Sequence, residues 1–353
     1  MPLLFFVMAS IKMTIMIKEF VKKIPYAKRI YTILRRFHSN SLSTETIEDV
    51  VFNYHRLRFK KYSGAFNDSE IKDISYLTWL YHFIEKGLAM PGMRLGFGHD
   101  KILELCEKIK SYEIKYGDCK QLIDAVSVVL EYKRVHEELN YKFENDILLA
   151  LNEIELQFPN VLPLEQKLWT KEDYFNIDNL RFPEFALSRH SVRNFEGRVD
   201  ENLLIKSIEM AKSAPSACNR QPTRVHIVAN KDLVISCLKL QNGNRGFGHL
   251  SDKLLVITGD LQTCLGAQEF FDLNTNVGIF IMNLVYSLHY NKIAHCVLNW
   301  YAMPEEDQKL RKLLKIPDNE NIVALIVCGN LPDKFKIVSS PRIEARQIYT
   351  IHK

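Results

Sequence analysis

The chain lacks the features that define several large classes of protein. It has no C-x-x-C pair and no H-E-x-x-H string, which removes the usual frameworks for zinc. Its seven cysteines are odd in number, and no two stand within ten residues of each other. Cys106, Cys119, Cys218, Cys237, Cys264, Cys296 and Cys328 therefore read as reduced thiols in a reducing, cytoplasmic compartment. Glycine (14) and proline (12) are scarce, which excludes collagen-like and low-complexity chains. No internal period recurs, so solenoids and propellers are set aside. No apolar run reaches the ~20 residues of a spanning helix. The stretch MPLLFFVMASIKMTIMI is broken by Ser10, Lys12 and Thr14, and it lacks the basic start and small-residue cleavage site of a signal peptide. Met13 and Met16 are alternative start positions.

What is present is globular. A length of 353 residues suggests about two domains, and 47% hydrophobic with 25% charged residues suits packed cores. The net charge of +5 is unevenly placed. Residues 1–40 hold eight lysines and arginines against Glu19 alone, a surplus of seven, so the rest of the chain sums to −2. A near-neutral body gives no reason to expect nucleic-acid binding. Residues 17–37 read as a basic amphipathic helix, with Phe20, Ile24, Ile30, Ile33 and Leu34 among the cations. Such a helix either lies peripherally on an anionic membrane or docks on the body with a solvated basic face.

Helical spacing covers residues 44–62, 69–86, 99–115, 119–136 and 141–156. In the second, Ile71, Ile74, Leu77, Leu80 and Ile84 recur at threes and fours. Asp68 or Ser69 is the expected N-cap and Gly87 the expected stop. The two prolines of FPNVLPL (158–164) mark a boundary. Beyond about residue 180 the pattern changes. β-branched runs at 223–230, 253–260, 294–300 and 321–330 alternate with helical stretches at 201–213, 231–240, 266–291 and 304–315, with Asp200 and Pro304 at helix starts. Residues 331–353 read as an extended arm of the kind that exchanges between subunits. The expected organisation is a basic segment (1–40), a helical domain (41–165) and an α/β or α+β domain (180–353).

Three clusters carry chemistry. SRHSVRNF (188–195) sets Arg189, His190, Ser191 and Arg193 close together, a donor set that suits a phosphate or other anion. SAPSACNRQP (213–222) offers small residues with Asn219 and Gln221, which let a flat ligand approach the backbone. SSPRIEAR (339–346) adds Arg342 and Arg346. Each alone also fits an ordinary turn or loop.

Together they resemble the nitroreductase family of FMN-dependent oxidoreductases. Arg189, His190, Ser191, Arg193 and Phe195 match the family's opening R-[RH]-S-x-[RK]-x-F pattern, and Pro215, Ser216, Asn219, Gln221 and Pro222 match its P-S-x-x-N-x-Q-P pattern. Arg342 fits the basic residue that closes the phosphate site. The resemblance implies an α+β fold with a mainly antiparallel sheet flanked by helices, preceded here by an all-helical region. It implies a homodimer with FMN at the interface. Arg189, His190, Ser191, Arg193 and Arg342 would come from one subunit, and Pro215, Ser216 and Asn219 from the other. Asn244 and Arg245 match a position that contacts the flavin in the family. The family's P-x-E-G stretch is replaced by CVLNWYAMP (296–304), where Leu298, Asn299 or Trp300 would supply the backbone donor, and Trp300 would line the substrate face or pack in the core.

The implied activity is reduction of a small organic acceptor by NADH or NADPH, with ping-pong hydride transfer through FMN. The flavin carries the chemistry, so no side-chain nucleophile or general base is required, and His226 reads as structural. His82 and Glu85 have the spacing of a carboxylate metal site, but no second ligand set accompanies them, so no metal is expected. The string HFIEKGLAMPGMRLGFG (82–98), where Lys86, Arg94 and the glycines suggest a lid or a contact with the flavin domain, resembles the N-terminal part of two-domain nitroreductase-like proteins found beside bacterial surface-polysaccharide genes. That opens an alternative: a flavin-binding assembly or membrane-surface partner in a polysaccharide pathway, without turnover.

Overall fold

The computed structural model describes residues 44–353. The basic segment 1–40 and the helix expected over 17–37 lie outside the described residues. The described residues fall into two compact units: 44–63 with 266–268, and 64–265 with 269–353. In the first, helix α1 (Thr44–Tyr62) ends on Lys60 and Lys61, whose charges suit the negative end of the helix dipole.

The second unit begins with four helices: α2 (Glu70–Ala89), α3 (His99–Tyr116), α4 (Lys120–Glu138) and α5 (Asn145–Gln157). Ser69 caps α2 by accepting from Lys72 N at 3.1 Å, a contact worth about 1 kcal/mol. Their inward stripes, including Leu77, Leu80, Ile84, Ile102, Leu105, Ile109, Leu122 and Val129, form one core. Gly87 does not end α2. The helix runs on to Ala89, because Gly87 gives space rather than a stop: a Cβ there would overlap the ring of Phe97, itself buried in this core.

The rest of the unit is an α+β arrangement. A four-stranded antiparallel sheet has the order β2 (Thr223–Val228), β3 (Lys253–Asp260), β5 (Glu320–Gly329) and β4 (Ala294–Asn299). Strand side chains alternate between faces, so each face has its own core. Leu254, Val256, Leu325 and Val327 pack towards α8 (Lys231–Leu238) and α10 (Pro304–Leu314). Leu255, Ile257, Ile326 and Cys328 pack towards α7 (Glu201–Ala211) and α9 (Phe270–Tyr290). Asp200 caps α7 and Pro304 opens α10, as the sequence suggests.

The segment from 331 is not wholly an extended arm. Its first part, β6 (Lys334–Ile337), pairs antiparallel with β1 (Lys167–Thr170) of the same chain. Residues 342–353 are then mostly exposed. All seven cysteines are free thiols. Among the described residues no helix is long and apolar enough to cross a membrane.

Candidate functional site

The loop after helix α6 (Phe182–Ser188) is fixed at both ends of its run. Val192 N donates to His295 O at 2.9 Å, and Glu196 N donates to Asn330 O at 2.9 Å. Between them Phe195 is buried against Gly329, where any Cβ would come within 2.7 Å of the Phe195 side chain. The loop is thereby pinned to the C-terminal end of β5. Tyr174 grips it from beneath: its hydroxyl donates to His190 O at 3.3 Å and accepts from His190 N at 3.2 Å.

This anchoring brings cations together from four parts of the fold. Arg189 and Arg193 come from the loop. The Arg342 charge from the C-terminal segment and the Lys167 charge from β1 both reach His190. Lys86, from α2, is near enough to Arg193 and Cys296 for each to alter its titration. The buried Cys296 thiol sits centrally; burial raises its pKa, opposed by the charges of Arg193, Lys86 and Arg189 and by a bond to Ser191. Among the described residues no carboxylate lies within ion-pair distance of Arg189, Arg193, Arg342, Lys86 or Lys167. The buried Nε of Arg189 has no hydrogen-bond partner among them. Uncompensated cations and an orphaned guanidinium donor fit an anion such as a phosphate.

His190 of the loop and two histidines behind it, His289 and His295, titrate low. Burial lowers the pKa of His190 to about 4, with further lowering by Arg189, Lys167 and Arg342. Burial lowers His289 to about 3, helped by His295, Arg189 and His190. His295 is fully buried and falls to about 4. Ser188 Oγ and His289 Nε2 are 2.8 Å apart, and His295 Nδ1 is 3.0 Å from Ile293 O. All three histidines are neutral at pH 7, so they do not add to the positive charge.

The second cluster sits elsewhere. Pro222 O accepts from Asp260 N, and Asp260 is opposite Glu320 at the start of β5. Glu320 and Gly329 are nine residues apart on one strand, so the two clusters are on the order of 30 Å apart in one chain. The 215–222 turn is tightly wound. Cys218, Asn219 and Gln221 all have positive φ (51°, 54° and 49°), a region that costs non-glycine residues energy. It is held by Ala217 N donating to Asn276 Oδ1 (2.9 Å), Gln221 N donating to Ser216 Oγ (3.0 Å), and the Arg220–Glu269 ion pair (2.7 Å). Pro215, Asn219 and Gln221 are exposed, while Ser216 is half-buried.

The 241–250 loop lies beside the first cluster. Phe247 is fully buried, and the Arg193 guanidinium stands 5.9 Å from its ring centre. Buried Gln241 donates to Asn299 O and Oδ1 at 3.0 and 3.2 Å and accepts from Asn244 Nδ2 at 3.0 Å. The Asn244 amide is thus occupied within the loop, whereas Arg245 is exposed. Leu298 is buried, Asn299 is exposed, and the Trp300 indole donates to Asp307 Oδ1 at 2.8 Å, which ties it to α10. His226 bonds Glu320 at 2.7 Å, a structural pairing within the sheet. Glu85 is completely buried; it bonds His82 Nδ1 at 3.1 Å and accepts from Ser340 N at 2.9 Å.

Sequence reasoning missed Lys167, Tyr174, Gln241, His289 and His295. Their sequence contexts carry no motif. At the starts of α3 and α5, His99 Nε2 lies 3.5 Å from both Glu144 and Asp146. Glu144 at the N-cap and Asp146 in the first turn complement the helix dipole, and a bond to Asp100 raises the His99 pKa.

An antiparallel sheet thus pins a cation-rich loop at one end of an α+β domain. Residues 186–243 match the model of the Nitroreductase family. Solved structures that align include a nitroreductase family protein from Streptococcus pneumoniae (21% identity, 49% of this chain and 100% of that one, TM-score 0.41). Another is a nitroreductase family protein from Clostridium difficile (22%, 49% and 99%, TM-score 0.41). A third is a candidate NAD(P)H:FMN oxidoreductase from Staphylococcus epidermidis (18%, 49% and 96%, TM-score 0.43). No curated protein matches the chain.

Proposed function

We propose that this protein is a flavin oxidoreductase that binds FMN and uses NADH or NADPH to reduce a small organic acceptor. The observation that carries the reading is that Arg189, Lys167 and Arg342 gather about His190, and Arg189, Arg193 and Lys86 about Cys296, with no carboxylate within ion-pair distance among the described residues and with the Arg189 Nε unpartnered. A terminal phosphate dianion satisfies that charge. From there the 241–250 loop leads towards Asn299, with the buried Phe247 supporting Arg193 from the core. Bound FMN would supply the hydride-transfer chemistry in ping-pong order. The chain's own task is to bind, orient and shield it.

The 30 Å separation of the two motif clusters supports a homodimer, because Pro215, Ser216, Asn219 and Gln221 would reach a flavin on a second copy. The exposed Ile343, Ile348, Tyr349 and Ile351 of the C-terminal segment give such an interface apolar surface. Light scattering should give twice 41.2 kDa; a monomer that retains FMN refutes the composite site.

The functional test is absorbance of the purified protein, then anaerobic NAD(P)H addition. A yellow protein that bleaches supports the enzyme. A yellow protein that never bleaches supports the non-turnover alternative, and one that takes up no FMN refutes both.

A further inference from the structure

The four-helix region is not part of what the Nitroreductase match covers, since that match begins at residue 186. Yet α2 makes direct contact with two segments of the candidate site. Met90, its C-cap, packs against Gly246 in the 241–250 loop, where a Cβ would lie 3.5 Å from Met90 Sδ. Glu85 accepts from Ser340 N, and Ser340 O in turn accepts from Arg342 Nη1 at 2.8 Å. Ser340 has φ of +46°, so this bond holds a strained residue that aims Arg342. Tyr81, one helical turn earlier, feels the Arg342 charge as well.

Lys86 follows Glu85. It is half-buried, lies one helical turn before Met90 and so on the side of α2 that meets the 241–250 loop, and it has no carboxylate within ion-pair distance among the described residues. Burial lowers its pKa, and the Arg193 charge lowers it further. Two half-buried like charges repel each other, and a dianion between them would relieve that repulsion.

We infer that Lys86 of the helical region is a phosphate ligand of the flavin site, so that the added helices complete cofactor recognition and select phosphorylated FMN over riboflavin. This rests on the flavin reading above. Glu85 and Lys86 then act as neighbours on one helix: the first fixes the arm that carries Arg342, and the second supplies an ammonium.

The experiment compares wild type, Lys86→Gln and Lys86→Arg as apoproteins, titrated with FMN and with riboflavin by flavin fluorescence. Lys86→Gln should weaken FMN at least tenfold and leave riboflavin within about twofold, and Lys86→Arg should recover most of the loss. The melting temperature of the apoprotein should stay level or rise in Lys86→Gln, because an uncompensated charge beside Arg193 is removed. Undiminished FMN binding by Lys86→Gln overturns the inference and leaves the flavin reading intact. Equal loss of both flavins with a lower melting temperature shows a structural lysine and also overturns it. If wild type takes up no FMN, the flavin reading fails, and inorganic phosphate decides on Lys86. A phosphate-induced rise in melting temperature present in wild type and absent in Lys86→Gln keeps it as an anion ligand; no difference ends the inference.

Discussion

Acid should unfold this protein through histidines rather than carboxylates in the range of about pH 5–6.5. His190, His289 and His295 ordinarily titrate near 6.5 but are held to about 4, 3 and 4 by burial in and behind the cationic loop. Between pH 6.5 and 4 the unfolded chain binds protons at these sites and the folded chain does not. Stability is therefore complete above about pH 6.5 and is lost as pH falls. At about pH 5 the unfolded state gains roughly 2 kcal/mol per histidine, from ~1.4 kcal/mol per pH step below 6.5. His289 and His295 feel each other, and His190 is only partly buried, so the three together give about 4 kcal/mol rather than the full sum. That is a large share of the 5–15 kcal/mol typical of a folded protein. Urea denaturation followed by tryptophan fluorescence at about pH 7.5, 6.5, 5.5 and 5 measures it. The His289→Asn, His295→Gln double variant should flatten the slope in this window while keeping the carboxylate-driven loss below about pH 4.5. A wild-type urea midpoint that does not move between pH 7 and 5, or a double variant with the same slope as wild type, refutes the reasoning.

Three further outcomes are expected. Arg189→Ala and Arg342→Ala should each weaken FMN retention on desalting by roughly ten- to hundredfold with the fold intact, since each removes a charge-assisted bond; unchanged retention in both removes them from the site. Gly87→Ala should destabilise the helical region by about 1–3 kcal/mol through overlap with Phe97, seen as a lower melting temperature, whereas a neutral result means the ring moves freely aside. Deleting residues 1–40, which hold the surplus of seven positive charges, should abolish co-sedimentation with anionic vesicles and leave flavin content unchanged. A full-length protein that stays in the supernatant even at low salt refutes the membrane contact.

The elements were legible where one physical signal dominated. Apolar residues at threes and fours placed α2 to α5, and β-branched runs placed β2 to β5 within a residue or two. Ser69, Asp200 and Pro304 marked helix starts because capping is local chemistry. Gly87 misled, because a glycine that ends a helix and one that admits a ring read alike in sequence. Strands β1 and β6 were missed: each is four residues long, and their pairing joins positions about 170 residues apart. The Arg189 and Arg193 cluster was visible because its cations are contiguous. Lys167, His289 and His295 were not, because only the fold brings them behind one loop.

The β1–β6 pairing also imposes an order of events during synthesis. Lys167–Thr170 emerges from the ribosome long before Lys334–Ile337, so the edge of β1 waits without its partner while four strands and their helices are made. Arg189 and Arg193 are fixed once His295, Gly329 and Asn330 have been made, and Arg342 is positioned only when Ser340 reaches the buried Glu85. A nascent chain therefore presents a half-built anion cradle. The late arrival of one short segment, rather than the pairing of β2 and β3, completes the cluster of cations.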